Sequence, residues 1–409
     1  MLPVLSEFGL AARNLFRQPF RSIIALSAIF FGVVALLLSG GFIEWIFFAM
    51  REATVYSRLG HIQVTRESVD GKRNPSFSLL PDRSPEFTRI ASVPGVRLIT
   101  ERLVFSGLIS RGENTVPFLG EGVDPKKEES LSRLLHIVKG RGLSEGDTSG
   151  VILGQGLAVN LGADVGDQVV LLSTTDSGSI NGIEARVRGL FFTVSKQYDD
   201  AALRISVTSA KNLLRVSGAH TWVVLLDKTE DTQNVLAALK KQFSQRSQNL
   251  RFTPWNELAD FYNKTVALYS RQMNVVEMII ALIIVLSIAN TMTRTVLERT
   301  GEIGTLMALG HRRRKILRLF LAEGLMLGLA GGLLGISIGW LLATAISFVG
   351  IPMPPAPGMS TGFSGEIRLT AGLVTTAFVI AVSTTIMASI YPAWKASRLN
   401  VVDALRHNR

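Results

Sequence analysis

The stretch LFLAEGLMLGLAGGLLGISIGWLLATAISFV, residues 319–349, decides the fold class. It contains one acidic residue and no cation, and about 20 apolar residues in a helix are enough to cross a hydrocarbon core about 30 Å thick. Three more stretches, 22–48, 273–295 and 370–390, have the same character. The sequence therefore predicts an α-helical membrane protein with four transmembrane helices.

The composition is typical of a membrane protein and excludes several kinds of active site. Of the 409 residues 47% are hydrophobic and 18% are charged, the net charge is +11, and there is no cysteine. Without cysteine the chain has no disulfide, no thiolate metal site and no Cys nucleophile. The five histidines lack metal-ligand spacing, and no serine-hydrolase, zinc-protease or P-loop motif occurs. We therefore expect a non-catalytic subunit with no catalytic residue, no metal site and no bound cofactor.

The positive charges indicate how the chain crosses the membrane. Residues 49–271 contain 28 Lys and Arg against 24 Asp and Glu, whereas the remaining 186 residues contain 15 against 8. Fourteen of those 15 cations lie near the N-terminus, between 294 and 318, or after 394. Because short cytoplasmic segments are rich in Lys and Arg, both termini should be cytoplasmic and segment 49–271 extracytoplasmic. Cations spread along membrane edges favour lipid over nucleic acid as a partner.

Segment 49–271 has the pattern of a large extracytoplasmic α+β domain with two lobes, placed between helices 1 and 2. The predicted helices are 156–161, 209–216 and 231–245. The predicted strands are 61–65, 96–110, 115–120, 168–173, 184–194, 204–208 and 221–226.

Both helices that flank this domain continue their apolar spacing past the length a membrane requires, so we expect them to protrude as a stalk. Aromatic residues at these helix ends are typical of packing or of an interfacial belt. The other interpretation is a hydrophobic cleft that accepts an acyl chain or another apolar cargo. The candidate cleft residues are Phe42, Trp45, Ile46, Ala49, Tyr262, Val266 and Tyr269.

The third apolar stretch carries glycines at intervals of four. Such ridges of small residues let membrane helices approach closely, so helix packing is their expected role. The candidate packing residues are Gly324, Gly328, Gly332, Gly335 and Gly339.

The loop ERTGEIGTLMALG, residues 298–310, predicts a short amphipathic helix between spans two and three. Ile303, Leu306, Met307 and Leu309 form its apolar face, and Gly310 is a suitable stop signal. Such a helix is shaped to dock in a groove of a partner. The alternative is a helix that rests on the membrane.

This loop resembles the signature E-[RK]-x-x-E-[IF]-G-x-x-[RK]-A-[LI]-G of FtsX/MacB-type ABC transporter permeases. It departs at Met307, where a cation is usual. The tail at 391–406 is similar to the ending of the family, with Val401 where Pro is common. The length of the chain and the sequence motifs of its outer segment look closest to the lipoprotein-releasing LolC/LolE branch. The resemblance assigns ATPase coupling to Glu298, Arg299, Glu302, Ile303, Leu306, Met307, Leu309 and Gly310.

The resemblance implies a MacB-like periplasmic core domain and a place in the bacterial inner membrane. ATP and Mg would be bound by a partner ABC ATPase, either LolD-like or a MacB-type nucleotide-binding domain. Further expected partners are a second permease copy or a paralogue, and a periplasmic carrier or adaptor protein. In such systems the ATPase pushes the coupling helices, and the stalks carry the motion outward.

The function that the resemblance implies is release of lipoproteins or another amphiphile from the inner membrane. The alternatives are MacB-like export of drugs, peptides or siderophores, and FtsX-like regulation of a periplasmic partner. The expected segments are an N-terminal helix 1–21, helix 1 with its stalk 22–56, the outer domain 57–252, stalk and helix 2 253–295, the coupling loop 296–318, helix 3 319–349, an outer loop 350–369, helix 4 370–391 and a tail 392–409.

Overall fold

The computed structural model describes residues 19–66, 79–82, 84–132, 135–193, 195–243, 250–354 and 363–399. Most of the predicted N-terminal helix 1–21 and the end of the family-like tail, from residue 400 onward, lie outside the described residues.

Four helices are long and apolar enough to cross a membrane, which confirms the predicted number of spans. They are α1, α9, α11 and α12, of 36, 39, 37 and 27 residues. At 1.5 Å per residue α1, α9 and α11 each exceed 50 Å, which is more than a bilayer core of about 30 Å requires. The helices are α1 Pro19–Thr54, α2 Pro85–Ala91, α3 Pro125–Leu131, α4 Gln155–Leu161, α5 Lys196–Asp199, α6 Val207–Leu214, α7 Thr232–Phe243, α8 Trp255–Leu258, α9 Asp260–Glu298, α10 Thr300–Ala308, α11 Arg313–Val349 and α12 Ala371–Ser397.

The chain divides into two compact units. The membrane unit comprises residues up to Phe47, Val266–Pro352 and the residues from Ser364, and the outer unit comprises Phe48–Thr265 with Met353–Phe363. The strands are β1 Ile62–Arg66, β2 Val96–Arg111, β3 Asn114–Val123, β4 His136–Gly140, β5 Gly150–Gly154, β6 Gln168–Thr174, β7 Ile180–Phe192, β8 Ala202–Ser206, β9 Thr221–Leu226, β10 Leu250–Pro254, β11 Ile351–Met353 and β12 Phe363–Gly365.

Two glycine ridges on α11 set the packing of the membrane unit. A Cβ on Gly328 or Gly332 would meet Thr385 or Phe378 of α12 at 3.2 and 3.1 Å, and Gly324 lies against Ser389 of the same helix. The other ridge consists of Gly331, Gly335 and Gly339 and faces α1. A Cβ added to these glycines would lie 2.9, 2.7 and 2.8 Å from Ile29, Val33 and Leu37, respectively. Since larger side chains would separate these helices, the ridges allow α11 to pack closely against both neighbours.

The outer unit is built on one ten-stranded mixed sheet. Its order is β10-β1-β9-β2-β3-β8-β5-β7-β4, and β6 pairs with β2 and β7. The two largest hydrophobic clusters on this sheet are separate. One gathers β1, β9 and β10 with α2 and α7, and the other gathers β3 and β5–β8 with α4 and α6. The 16-residue strand β2 belongs to both, with Ile99 in the first core and Leu103 in the second.

Most predicted strands of the outer segment are present, but one is wrong at its end. The stretch 204–208 was expected to be a strand throughout, whereas β8 ends at Ser206. The Ser206 hydroxyl accepts a hydrogen bond from the backbone N–H of Ser209 at 3.1 Å, so Val207 and Thr208 begin a capped helix. Strands β4, β5 and β10 were not predicted. Every residue of β4 is exposed and every residue of β5 is buried, so neither shows the alternation by which a strand is recognised.

Helix α1 joins the sheet through a tight turn. After Thr54 the helix continues as a π-helical turn, Val55–Leu59, and Gly60 closes it with φ of +66°. A Cβ at Gly60 would press on Val223 Cγ1 and lie 3.2 Å from the Val224 carbonyl oxygen. Only glycine fits here, for two reasons. A positive φ is costly for residues with a Cβ, and there is no room for a Cβ beside β9.

The substitution Gly60→Ala tests this turn. We expect it to lower the free energy of unfolding of the outer unit by about 2–4 kcal/mol, from the left-handed backbone and from overpacking. Gly112→Ala is the matched control, because Gly112 also has a positive φ, +58°, but a Cβ added there would meet no other residue within 4 Å. It should cost only about 1–2 kcal/mol. Urea unfolding of the solubilised chain, followed by pulse proteolysis within the outer unit, measures both values. If the two variants lose the same free energy of unfolding, close packing around Gly60 does not add to the cost of a Cβ there.

Candidate functional site

The loop between α9 and α11 folds as the predicted short helix. Helix α10 spans Thr300–Ala308, and Gly310 follows with φ of +86°. The N–H of Gly310 donates to the Met307 carbonyl at 3.0 Å, and the N–H of His311 donates to the Leu306 carbonyl at 3.1 Å. These two bonds form a Schellman motif, in which a left-handed glycine ends the helix.

The apolar face predicted for α10 does not all point to a partner. Ile303 is 4% exposed and belongs to the buried cluster of the membrane unit that also contains Val296, Ile316 and Phe320. Leu306 and Met307 are half-buried, whereas Leu309 is 75% exposed. Ile303 therefore packs within its own chain, which corrects the expectation that it faces a groove in another protein. Any partner would meet the side of the helix that includes Glu302, Thr305 and Leu309.

Arg299 ties the start of α10 to α11. Its Nε lies 3.2 Å from Glu302 Oε2, and its Nη1 lies 3.7 Å from Oε2 of Glu323, a buried residue of α11. Glu298, the last residue of α9, is exposed. Arg299 thus lies between the carboxylates of Glu302 and Glu323, which hold the helix in position.

The seven candidate cleft residues are distributed over separate contacts. Phe42 stacks on Trp45 with ring centroids 6.5 Å apart, and Tyr269 meets Phe47 edge to face at 6.4 Å. Tyr262 instead packs on Trp255 at 5.1 Å. Each of these rings thus has an aromatic neighbour, as the packing interpretation expects. The remaining three, Ile46, Ala49 and Val266, are half-buried.

A cluster of buried charges at the C-terminal end of α1 escaped prediction. Arg204 Nη2 donates to the Ser57 carbonyl at 2.9 Å, and Arg102 donates to the Arg58 carbonyl. Arg204 is 0% exposed and Arg102 is 3% exposed. The two arginines belong to β8 and β2, about 100 positions apart in the sequence, so no local pattern marks them as partners.

Two glutamates neutralise these arginines. Glu128 accepts from Arg102 Nη2 at 2.8 Å and from Arg204 Nη1 at 3.0 Å, and Glu121 Oε2 lies 3.2 Å from Arg204 Nη2. Burial alone would raise the pKa of Glu121, but Arg102, Arg204 and Arg58 outweigh it and lower that pKa to about 2. The carboxylate is therefore charged at any physiological pH.

His61 forms a second buried link just after the π-helical turn. Its Nδ1 accepts the N–H of Leu226 at 3.0 Å, so its Nε2 carries the proton and donates to Thr229 Oγ1 at 3.1 Å. The Thr229 hydroxyl in turn donates to Glu52 Oε1 at 3.1 Å. Burial and the positive charge of Arg51, which Glu230 partly offsets, lower the pKa of His61 to about 4. The chain of bonds requires the neutral imidazole.

This pKa predicts acid lability of the outer unit. An unfolded histidine titrates near 6.5, so between pH 6.5 and 4 the unfolded chain binds the extra proton first. Stability therefore falls as pH drops through that window, by up to about 3 kcal/mol from this residue. Urea unfolding between pH 7 and 4 measures the loss.

His61→Gln is the control, since an amide can accept and donate but does not titrate. We expect the variant to be less stable at pH 7 and to lose less stability on acidification. An identical pH dependence in the two proteins would contradict the role of His61.

Among the described residues, no group of three or more His, Asp or Glu could hold a metal ion.

Two family models match the sequence. The MacB-like periplasmic core domain matches residues 22–242, and the FtsX-like permease C-terminal domain matches residues 274–401. The MacB periplasmic region from Actinobacillus actinomycetemcomitans covers 52% of this chain and 95% of its own, at 12% identity and a TM-score of 0.37.

Relatives match over larger parts of the chain. An uncharacterized ABC transporter permease of Methanocaldococcus jannaschii is 27% identical, over 66% of this chain and 65% of its own. The lipoprotein-releasing system transmembrane protein LolC of Xylella fastidiosa is 24% identical, over 74% of this chain and 76% of its own. The macrolide export ATP-binding/permease protein MacB of Shigella flexneri is 30% identical, over 59% of this chain and 35% of its own. Because the periplasmic-core model alone spans more than half of the 409 residues and the permease model follows it, the chain belongs to the FtsX/MacB family of ABC transporter permeases.

Proposed function

We propose that this permease couples ATP hydrolysis by a separate ATPase subunit to work at the outer face of the inner membrane, and that the work is release of lipoproteins or another amphiphile. ATP and Mg are bound by the partner, which is LolD-like or a MacB-type nucleotide-binding domain. The termini and α10 face the cytoplasm. A second permease copy or paralogue completes the membrane part, and a periplasmic carrier receives the cargo.

The observation that carries the proposal is the construction of α10. Ile303 and Arg299 fix one side of the helix to the membrane unit, so an ATPase that pushes the exposed side moves the bundle and does not merely deform a loop. Helices α1 and α9 are each longer than a bilayer core requires, which supports transmission of that motion beyond the membrane.

Lipoprotein release is favoured over export because the match to LolC extends over most of both chains, whereas the match to MacB covers 35% of that protein. Export of drugs, peptides or siderophores through a periplasmic adaptor is the second candidate. The similarity to MacB and to the pyoverdine export protein PvdT of Pseudomonas putida, 32% identical over 44% of this chain, supports it. Regulation of a periplasmic partner is the third.

The substitution Leu309→Asp tests docking of an ATPase on α10. The charge falls on an exposed apolar side chain beside Gly310, so the fold should persist while the docking surface is lost. We expect the ATPase that co-purifies with the wild-type chain to be depleted about tenfold or more, measured by quantitative mass spectrometry after mild-detergent purification.

Val159→Asp is the matched control, because Val159 is also a highly exposed apolar residue but belongs to helix α4 of the outer unit. It should retain the ATPase. Ile303→Asp is a poor probe, since it would bury a charge inside the bundle. Full retention of the ATPase by Leu309→Asp would exclude docking through this face.

Photo-crosslinking tests the cargo. A benzophenone amino acid at Phe42, Trp45 or Tyr262 should capture acylated proteins if these rings guide a lipoprotein, because the apolar surface would meet its acyl chains. Mass spectrometry identifies the adducts. The same amino acid at the exposed Phe348 should yield phospholipid only. Phospholipid adducts at all four positions would oppose lipoprotein release, and adducts of a periplasmic adaptor would favour export.

A further inference from the structure

The C-terminal end of α1 is capped by side chains from the sheet. The last carbonyls of a helix have no partner within it and carry partial negative charge. Here the Ser57 carbonyl accepts from Arg204 and the Arg58 carbonyl accepts from Arg102. Both carbonyls lie in the π-helical turn Val55–Leu59, so the point of attachment is the final turn before the chain enters β1.

The cap is stiff because its charges are buried and paired in several directions. Each arginine also bonds Glu128, and Ser132 Oγ accepts from Arg204 Nη1 at 2.9 Å. Removing one partner from a buried, hydrogen-bonded pair leaves an uncompensated charge, which makes spontaneous opening rare. The guanidinium plane fixes direction as well as distance, because its donors form a rigid fork.

The junction with the other long helix is built differently. Helix α8 ends at Leu258, Ala259 is not helical, with φ of −94° and ψ of 59°, and α9 starts at Asp260. The Asn263 side chain donates to the Asn256 carbonyl at 2.6 Å across this break. Among the described residues of the junction, Glu257 and Asp260 are exposed to solvent. Ala259 is 5% exposed and packs with Val55 and Trp255, so this junction is held by apolar contacts and not by buried charges.

We propose that Arg102 and Arg204 are positioning residues that make the end of α1 a rigid joint, through which displacement of this helix moves the outer unit. The joint is a property of the fold. Its use in ATP-driven movement rests on the proposed function. Movement of α1 then carries the sheet with it.

The first measurement tests the joint in the full chain, in nanodiscs, by hydrogen exchange and mass spectrometry. In Arg204→Met the peptide covering residues 48–61 should exchange about tenfold faster or more, because the Ser57 carbonyl loses its buried donor. The peptide covering 168–174 should not change. We expect this variant to fold, since Arg58 and Arg102 remain as ion-pair partners of Glu121 and Glu128.

The second measurement uses the permease together with the ATPase that co-purifies with it. In the wild type, vanadate trapping with ATP should alter exchange across the sheet of the outer unit. In Arg204→Met that change should fall several-fold while ATP turnover continues, so the change per ATP hydrolysed drops.

Two controls separate positioning from stability. Leu171→Ala removes a fully buried side chain from the sheet core and should destabilise the outer unit without reducing the ATP-dependent change. Asn263→Ala removes the bond across the α9 junction and should also preserve it.

If hydrogen exchange of the peptide 48–61 is the same in Arg204→Met and in the wild type, the rigid joint does not exist. The proposal also fails if Arg204→Met keeps the full ATP-dependent change in exchange across the sheet. Equal losses in Arg204→Met and Leu171→Ala would reduce the cluster to a structural role. If no ATPase co-purifies, the proposed function fails, and the exchange at 48–61 still decides whether the joint exists.

Discussion

The free carbonyls at the C-terminal end of α1 are the constraint on which the outer unit depends. A membrane helix that continues into a folded sheet must satisfy these groups away from bulk water. The chain does so with two buried guanidinium groups, and each then requires a carboxylate nearby. The carbonyls at the helix end therefore require the arginines as donors, and the buried arginines require Glu121 and Glu128 as counter-charges. Strands β2, β3 and β8 and helix α3 all supply a residue to this cluster, so the arrangement of the sheet and the end of the helix are specified together.

The membrane unit solves a different problem, because lipid provides little hydrophobic drive between helices. Close packing is obtained instead from glycine ridges on two sides of α11, one toward α1 and one toward α12. Ser389 and Thr385 of α12 direct their hydroxyls to carbonyls of their own helix, which satisfies them without a partner across the interface. Helix α11 is thus a scaffold between its neighbours, and through Glu323 and Ile316 it also supports α10.

The sequence predicted those features that local patterns encode. Apolar length identified four spans, three-four spacing identified α10, and the glycine at 310 marked its end, because each depends on residues within a few turns of one another. The Arg102–Glu121–Glu128–Arg204 cluster depends on four segments that meet only in the folded sheet, and single charged residues in strands look like solvent-exposed positions. Ile303 was assigned to a docking face for a related reason, since periodicity shows that a face is apolar but not which protein covers it. Strand β4 was missed because it is exposed along its whole length, which leaves no pattern to detect.

The burial of Ile303 attaches α10 firmly to its own chain. A helix whose whole apolar face binds a partner has few apolar contacts left with its own chain. A force applied to such a helix would deform a flexible loop and would not move the membrane helices. In α10 the apolar face is divided, so that Ile303 anchors and Leu309 is presented. Arg299 reinforces the anchor electrostatically, since its charge lies between Glu302 and Glu323. Met307, where the family commonly has a cation, is half-buried beside this anchor, so the departure from the family pattern extends the apolar contact with the bundle. The surface of α10 that remains exposed carries Leu309 and Glu302.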